Sequence, residues 1–177
     1  MRKASISKLI YIKDSAVDTV NKIRQDLKKI NNPLSEKIAI AHMKNAFNYA
    51  QLSACERRQV GCIIVKENRI ISIGYNGTPP GWSTNCCEDE HGHTSPEVIH
   101  AEMNALLKLT RSNESSIGSI MFCTDEPCGQ CAPFISMSGI THVYYARKYK
   151  AGTSAKVGIN GLDFFEKTKT KAIHFPI

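Results

Sequence analysis

Apolar residues recur at three- and four-residue steps through residues 14–30, as Val17, Val20, Ile23, Leu27 and Ile30, which is the spacing of one face of an amphipathic helix. Lys22, Arg24, Lys28 and Lys29 cover the opposite face, and Asn31-Asn32-Pro33 ends the pattern. Such a stripe has to be buried, so it is expected to pack on the core or on a partner subunit. Ser35 is the expected N-cap of a second helix over residues 36–54. Residues 60–65 and 69–74 are apolar, β-branched runs flanking the short polar turn Lys66-Glu67-Asn68, which predicts an antiparallel hairpin. Helical spacing returns at Val98, Ala101, Ala105, Leu106 and Leu109. Residues 120–123 read as a strand, 128–138 as a helix with Gly139 at its C-terminal cap, 141–145 as a strand, and 162–167 and 172–175 as a last helix and strand. Alternation of this kind predicts an α/β fold with a mixed sheet of about five strands and crossover helices covering both faces. The expected organisation is an N-terminal helical extension, residues 1–34, followed by one domain, residues 35–177, with no internal repeat, low-complexity tract or long linker.

Bulk composition narrows the classes. A chain of 177 residues with 42% hydrophobic content can bury one proper core. Met1-Arg2-Lys3-Ala4-Ser5 lacks the apolar run of a secretory signal and no stretch reaches bilayer-spanning length, so a cytoplasmic protein without membrane contact is expected. Seven cysteines, two pairs of them clustered as Cys86-Cys87 and Cys128/Cys131, suggest metal binding more than disulfides in a reducing compartment. The net charge of +7 suits a nucleic acid, a phosphorylated small substrate or a lysine-rich surface alike. Because the cations gather in the first thirty residues and after Arg147 without interleaved aromatics, nucleic acid is not the expected partner.

The candidate chemistry lies in His100-Ala101-Glu102 and, 25 residues on, Pro127-Cys128-Gly129-Gln130-Cys131. One imidazole and two thiolates fill three positions of a tetrahedral zinc and leave the fourth for water, the count of a catalytic and not a structural site. Both groups fall at expected helix starts, where unsatisfied N–H groups and the dipole favour thiolate. Cys128 and Cys131, three residues apart, reach one ion from the same side of a helical turn. Glu102 as a fourth ligand would displace the water, so its expected role is general acid and base. A structural zinc would want a fourth protein ligand, and a redox Cys-x-x-Cys would not call for His-x-Glu. This H-x-E…P-C-x-x-C arrangement resembles the known signature of zinc nucleobase deaminases, in which the glutamate protonates the ring and then the departing amine.

More of the chain is similar to the deoxycytidylate (dCMP) deaminases of the cytidine deaminase superfamily: Ser53-Ala54-Cys55-Glu56-Arg57-Arg58-Gln59-Val60-Gly61, Gly74-Tyr75-Asn76-Gly77-Thr78-Pro79, Cys86-Cys87-Glu88-Asp89-Glu90 and residues 96–105. The resemblance implies a three-layer α/β/α cytidine-deaminase-like fold and hydrolysis of dCMP to dUMP and ammonia. It further implies a homo-oligomer, often a hexamer, with activation by dCTP and inhibition by dTTP with Mg2+. It assigns Asn76, Ala101 and Arg58 to the substrate and Tyr75, Gly77, Glu88 and Asp89 to the neighbourhood of the allosteric nucleotide, and it sets Arg111 near a subunit contact. For the phosphate, Arg57, Arg58, Arg147 and Lys148 are the candidate cations, and Trp82 with Tyr75 are candidate pocket aromatics. Cys55, Cys86, Cys87, His91 and His93 form a candidate second, structural zinc site, as in some phage relatives; adjacent cysteines rarely share one ion, so Cys55 stands in for one of them. Cys62 stands where the family usually has a small residue and serves as a small hydrophobe. The alternatives to dCMP are a modified dCMP, another nucleobase substrate, or a binding protein that keeps the zinc without turnover.

Overall fold

The computed structural model describes residues 34–148 and 160–177. The predicted helix at 14–30, and with it all of the expected extension but Leu34, lies outside them. The chain divides into two compact units, Met1–Ala39 and Ile40–Ile177, and the architecture that follows is that of the second.

Its elements are α1 (Glu36–Ala50, of which the part from Ile40 belongs here), β1 (Gly61–Lys66), β2 (Arg69–Tyr75), α2 (Ala101–Leu109), β3 (Ile120–Asp125), α3 (Cys131–Met137), β4 (His142–Arg147), α4 (Gly161–Glu166) and β5 (Lys171–His174). The five strands form one sheet in the order β2-β1-β3-β4-β5. β1 runs antiparallel to β2 and β3, while β3, β4 and β5 are parallel. The predicted hairpin turns through Glu67 and Asn68, at φ 51° and 60°, the double left-handed conformation whose twist matches that of the flanking strands.

Alternation along the strands gives the sheet two apolar faces. Cys62, Ile64, Met121, Cys123 and Val143 face one core cluster with Ala101, Ala105 and Leu109 of α2, Ala132 and Ile135 of α3 and Phe165 of α4. On the other face Phe122 stacks on Tyr144 at 4.7 Å between ring centres, with His42 of α1 at 5.3 Å from Phe122. Helices thus cover both sides, the expected α/β/α layering.

Two glycines let helix backbones lie directly on strands. A Cβ on Gly61 would meet the carbonyl oxygen of Ala46 in α1 at 2.0 Å, and one on Gly74 would meet that of Ala101 in α2 at 2.1 Å. Neither backbone can yield as a side chain would, so Gly74→Ala should cost about 3 kcal/mol, at the upper end of ordinary overpacking. Urea unfolding of the variant checks this, and because α2 starts at the candidate site, its zinc affinity should fall as well.

Element limits differ from the sequence reading in two informative places. α1 stops at Ala50 instead of residue 54, because Leu52 and Ser53 bond back to Tyr49 and Ala50 and the Ser53 hydroxyl donates to the Asn76 carbonyl. α3 begins at Cys131 instead of residue 128; Cys128 contributes a preceding turn whose carbonyl accepts from both Cys131 and Ala132. Gly139 takes φ +79° after α3, the left-handed cap expected there. Among the described residues no helix is long and apolar enough to cross a membrane.

Candidate active site

His100 is the N-cap of α2, with extended backbone, and Glu102 stands in the first turn. Cys131 opens α3. The parallel pairing of β3 with β4 carries the chain from Asp125 through Pro127 into that helix, so both helix starts reach the same end of the sheet. The Sγ atoms of Cys128 and Cys131 each lie 3.4 Å from His100 Nδ1, and the three donor atoms all fall within 4.8 Å of one another. Ligands at ordinary Zn–S and Zn–N bond lengths on a tetrahedron are separated by roughly 3.6 Å. The donor set therefore fits zinc with little adjustment. Among the described residues, no other His/Cys/Asp/Glu cluster of three or more meets this spacing.

Charge within the cluster is already arranged for metal. The hydrogen bond from Cys131, and then the His100 imidazole, bring the Cys128 thiol down to about 4. The Cys128 contact in turn lifts His100 to about 9, against its burial. Cys131 is pushed up, first because its proton bonds the Cys128 sulfur and then by burial. One thiolate and one imidazolium thus neutralise each other, and a bound divalent cation would replace both retained protons. Glu102, 4% exposed, is raised to about 7, mainly by burial, with the positive charge of His100 opposing. A carboxyl poised there can both accept and donate a proton near neutrality.

A cleft of about 180 Å³ opens beside this group, lined by His100, Ala101 and Glu102 together with Arg57, Arg58 and Asn76. The structure thus brings Asn76, Ala101 and Arg58 to the same cleft as His100 and Glu102. The Asn76 side chain already has work to do: its Oδ1 accepts from the Val60 amide and its Nδ2 donates to the Arg58 carbonyl, both at 2.8 Å. It brackets residues 58–60 and keeps one lone pair and one N–H for other partners. Arg57 is bound to the Gly92 carbonyl and the Thr94 hydroxyl, and Arg147 to Asp125, the Gln59 carbonyl and the Thr124 hydroxyl. With Arg58 paired to Asp125, three of the four cations proposed for a phosphate are held in contacts within the chain.

The loop between β2 and α2 forms one wall. The Glu88 carboxylate accepts from the amides of Glu56 and Arg57, and Asp89 accepts from those of His91 and His93, which keep its carboxyl below the usual range. Gly77 pairs with Ile99, while the Tyr75 ring has the Lys108 ammonium 5.1 Å from its centre. Trp82 is half exposed and does not line the cleft.

The structure sets a disulfide against the second zinc reading. Cys55 and Cys87 are joined by a disulfide, which removes two thiolates from any ligand set. Cys86 bonds the Glu88 carbonyl and His93 contacts Asp89, so the five residues do not converge on one point. Sequence favoured metal because it weighed Cys86-Cys87 as a pair; the structure pairs across 32 residues instead.

Sequence reading passed over Asp125 and Glu126. Both are buried and both line the cleft. Two adjacent acids closing an otherwise apolar strand were the available signal, since carboxylates are almost never buried without partners.

Fold and donor set together define the class, an α/β protein built around a three-donor zinc-binding region. The family model "Cytidine and deoxycytidylate deaminase zinc-binding region" matches residues 36–147, and the chain belongs to that family. The deoxycytidylate deaminase of Saccharomyces cerevisiae is 37% identical over 145 residues, which are 76% of this chain and 46% of the yeast protein. That of Mycobacterium phage D29 is 37% identical over 113 residues, 56% of this chain and 86% of the phage protein. This chain thus spans about half of the yeast relative and most of the phage one. The crystal structure of dCMP deaminase from cyanophage S-TIM5 in complex with dCMP and dUMP superposes with a TM-score of 0.74 at 40% identity, covering 80% of this chain and 99% of the phage chain.

Proposed function

We propose that this protein hydrolyses dCMP to dUMP and ammonia, in the cytoplasm, with zinc held by His100, Cys128 and Cys131. The observation that carries the reading is Glu102, buried and raised toward neutrality, on the same helix turn as one of three donors spaced for zinc. Zinc bound there would supply hydroxide near neutral pH. Glu102 would take one proton of the attacking water and pass it to ring nitrogen N3, then carry the remaining proton of the hydroxyl added at C4 to the amine, which leaves as ammonia while the C4 carbonyl forms. Arg58 and Asn76 would hold the nucleotide, a reading supported by their position on the wall of the same cleft. The likeness to a phage dCMP deaminase in complex with dCMP and dUMP supports that substrate.

Regulation by dCTP and dTTP with Mg2+ belongs to the same reading. What supports it is the loop carrying Glu88, whose carboxylate holds the amides of Glu56 and Arg57 directly beside Arg58; a ligand that moved Tyr75, Gly77, Glu88 or Asp89 would move the cleft wall. A homo-oligomer, hexameric in this reading, is supported by the exposed apolar side chains Leu107, Ile117, Phe134 and Met137 around one groove on α2 and α3, a patch of the kind that marks contact surfaces. Met137→Glu should therefore lower the assembly state by sedimentation; an unchanged sedimentation coefficient would exclude this face. A second zinc in this reading needs the Cys55 thiol together with Cys86 or Cys87, and the Cys55–Cys87 disulfide withholds it, so the disulfide form should bind a single zinc by metal analysis.

Ammonia release from dCMP, CMP, deoxycytidine and dCTP by zinc-loaded protein tests the substrate. Turnover confined to dCMP is expected. Turnover of another member alone would reassign the substrate, and none at all, with zinc bound, would leave a binding protein.

A further inference from the structure

Asp125 is the last residue of β3, its side chain only 3% exposed, and it is partnered by two guanidinium groups from different parts of the chain. Its Oδ2 lies 2.5 Å from Arg58 Nε, and its Oδ1 accepts from Arg147 Nε. Arg147 is its register partner on the parallel strand β4. From there Arg147 reaches back to the Gln59 carbonyl at 2.8 Å, next to Arg58 itself, and its guanidinium carbon lies 5.5 Å from the centre of the Phe47 ring.

Residues 58–60 are consequently fixed from two sides. Asn76 holds their backbone through Val60 N–H and the Arg58 carbonyl, whereas Asp125 holds the Arg58 side chain and, through Arg147, the Gln59 carbonyl. The arrangement has a chemical consequence. A carboxylate between two guanidinium groups leaves a net charge of +1 on the cluster, and Arg58 and Asp125 both line the cleft that also holds His100 and Glu102. The charge pair between Arg58 Nε and the buried Asp125 Oδ2, close but outside hydrogen-bond geometry, restricts where the planar guanidinium fork can lie. A lysine, or an arginine without such an anchor, would have to lose rotamer freedom on each binding event.

We propose that Asp125 is a positioning residue that orients Arg58 toward the anionic phosphate of the nucleotide, and so sets the preference for a monophosphate without touching the reacting ring. This rests on the substrate reading above. It concerns binding of the phosphate-bearing substrate, so its effect belongs chiefly in KM; the Asp125 charge is the weakest of the influences on Glu102, so the proton transfers that set kcat change little.

The test is a double-mutant cycle on zinc-loaded full-length protein, with dCMP as substrate. Asp125→Asn keeps the shape and removes the charge; its KM should rise about tenfold with kcat within about threefold of wild type and zinc content unchanged. Arg58→Gln should raise KM by at least as much. In the Arg58→Gln background Asp125→Asn should add less than about twofold, since a residue acting through Arg58 has nothing left to orient. Asp125→Glu should restore part of the wild-type KM. An unchanged KM in either single variant overturns the proposal, as does a multiplicative effect in the double variant or a loss confined to kcat. If Asp125→Asn does not fold, Arg58→Gln still decides, because a wild-type KM there rules out any role for Asp125 through it. Failure of the substrate reading would appear separately, as wild-type protein without activity on dCMP.

Discussion

Glu102→Gln should lower kcat for dCMP by about 10⁴-fold, the upper range for losing a positioned general acid and base, while the protein keeps its zinc. The reasoning is local. Glutamine fills the same volume at the start of α2 and can still hydrogen-bond, but it cannot carry a proton from water to the ring and then to the amine. Steady-state kinetics with metal analysis check both halves, and a variant with more than a tenth of wild-type kcat would remove Glu102 from the proton path. The same substitution should stabilise the metal-free protein. Burial raises the Glu102 carboxyl from 4.5 to about 7, so the folded state binds a proton that the unfolded chain has already released. The ionised side chain therefore costs stability progressively as pH rises from about 4.5 to about 7, and the full cost, on the order of 3 kcal/mol, is present above that window. Metal-free Glu102→Gln should accordingly unfold at a higher temperature than metal-free wild type at pH 8, with the difference vanishing near pH 4. An inactive variant that is more stable than its parent is the signature of a group retained for chemistry.

Removal of the metal should have the next largest effect. Cys131→Ser exchanges a thiol for a hydroxyl at the first residue of α3, which is 1% exposed and whose sulfur lies 3.4 Å from His100 Nδ1. Zinc affinity should drop by more than about a hundredfold, since even outer partners of zinc ligands are worth 10- to 100-fold. Activity should vanish with it at micromolar zinc. Stability follows by linkage, because an ion bound only by the folded state at a thousand times its Kd contributes about 4 kcal/mol. Zinc-loaded wild type should therefore unfold several degrees above chelated wild type, and Cys131→Ser should match the chelated protein with or without added zinc. A variant that retained both zinc and the higher midpoint would show that Cys131 is not a ligand.

What could be read from the chain was set by short-range geometry. Apolar, β-branched runs marked the hairpin strands, helical spacing marked α2 and the Ser35 cap marked α1, and the hairpin turn was visible because Glu67-Asn68 lies between two such runs. The spacings in His100-x-Glu102 and Cys128-x-x-Cys131 are local as well. Each pair lies within a turn, so backbone geometry alone keeps its members together. Element ends were less legible, because tertiary bonds decide them: Ser53 ends α1 through a carbonyl 23 residues away.

The sequence by itself therefore determined the class of fold, the candidate ligand pairs and the candidate proton carrier, all features whose geometry spans a few residues. Only the tertiary structure decided the strand order β2-β1-β3-β4-β5, which brings His100 to Cys128 across 28 positions. It also decided that Cys55 bonds Cys87 instead of a second metal, that Asn76 and Glu88 brace the cleft from within, and that Asp125 meets Arg58 and Arg147. Those partners are separated by tens of residues. Packing of the sheet against helices on both faces selects one set of long-range neighbours from the many that local periodicity allows, and buried charges such as Asp125 are tolerated only where that selection delivers their counterions.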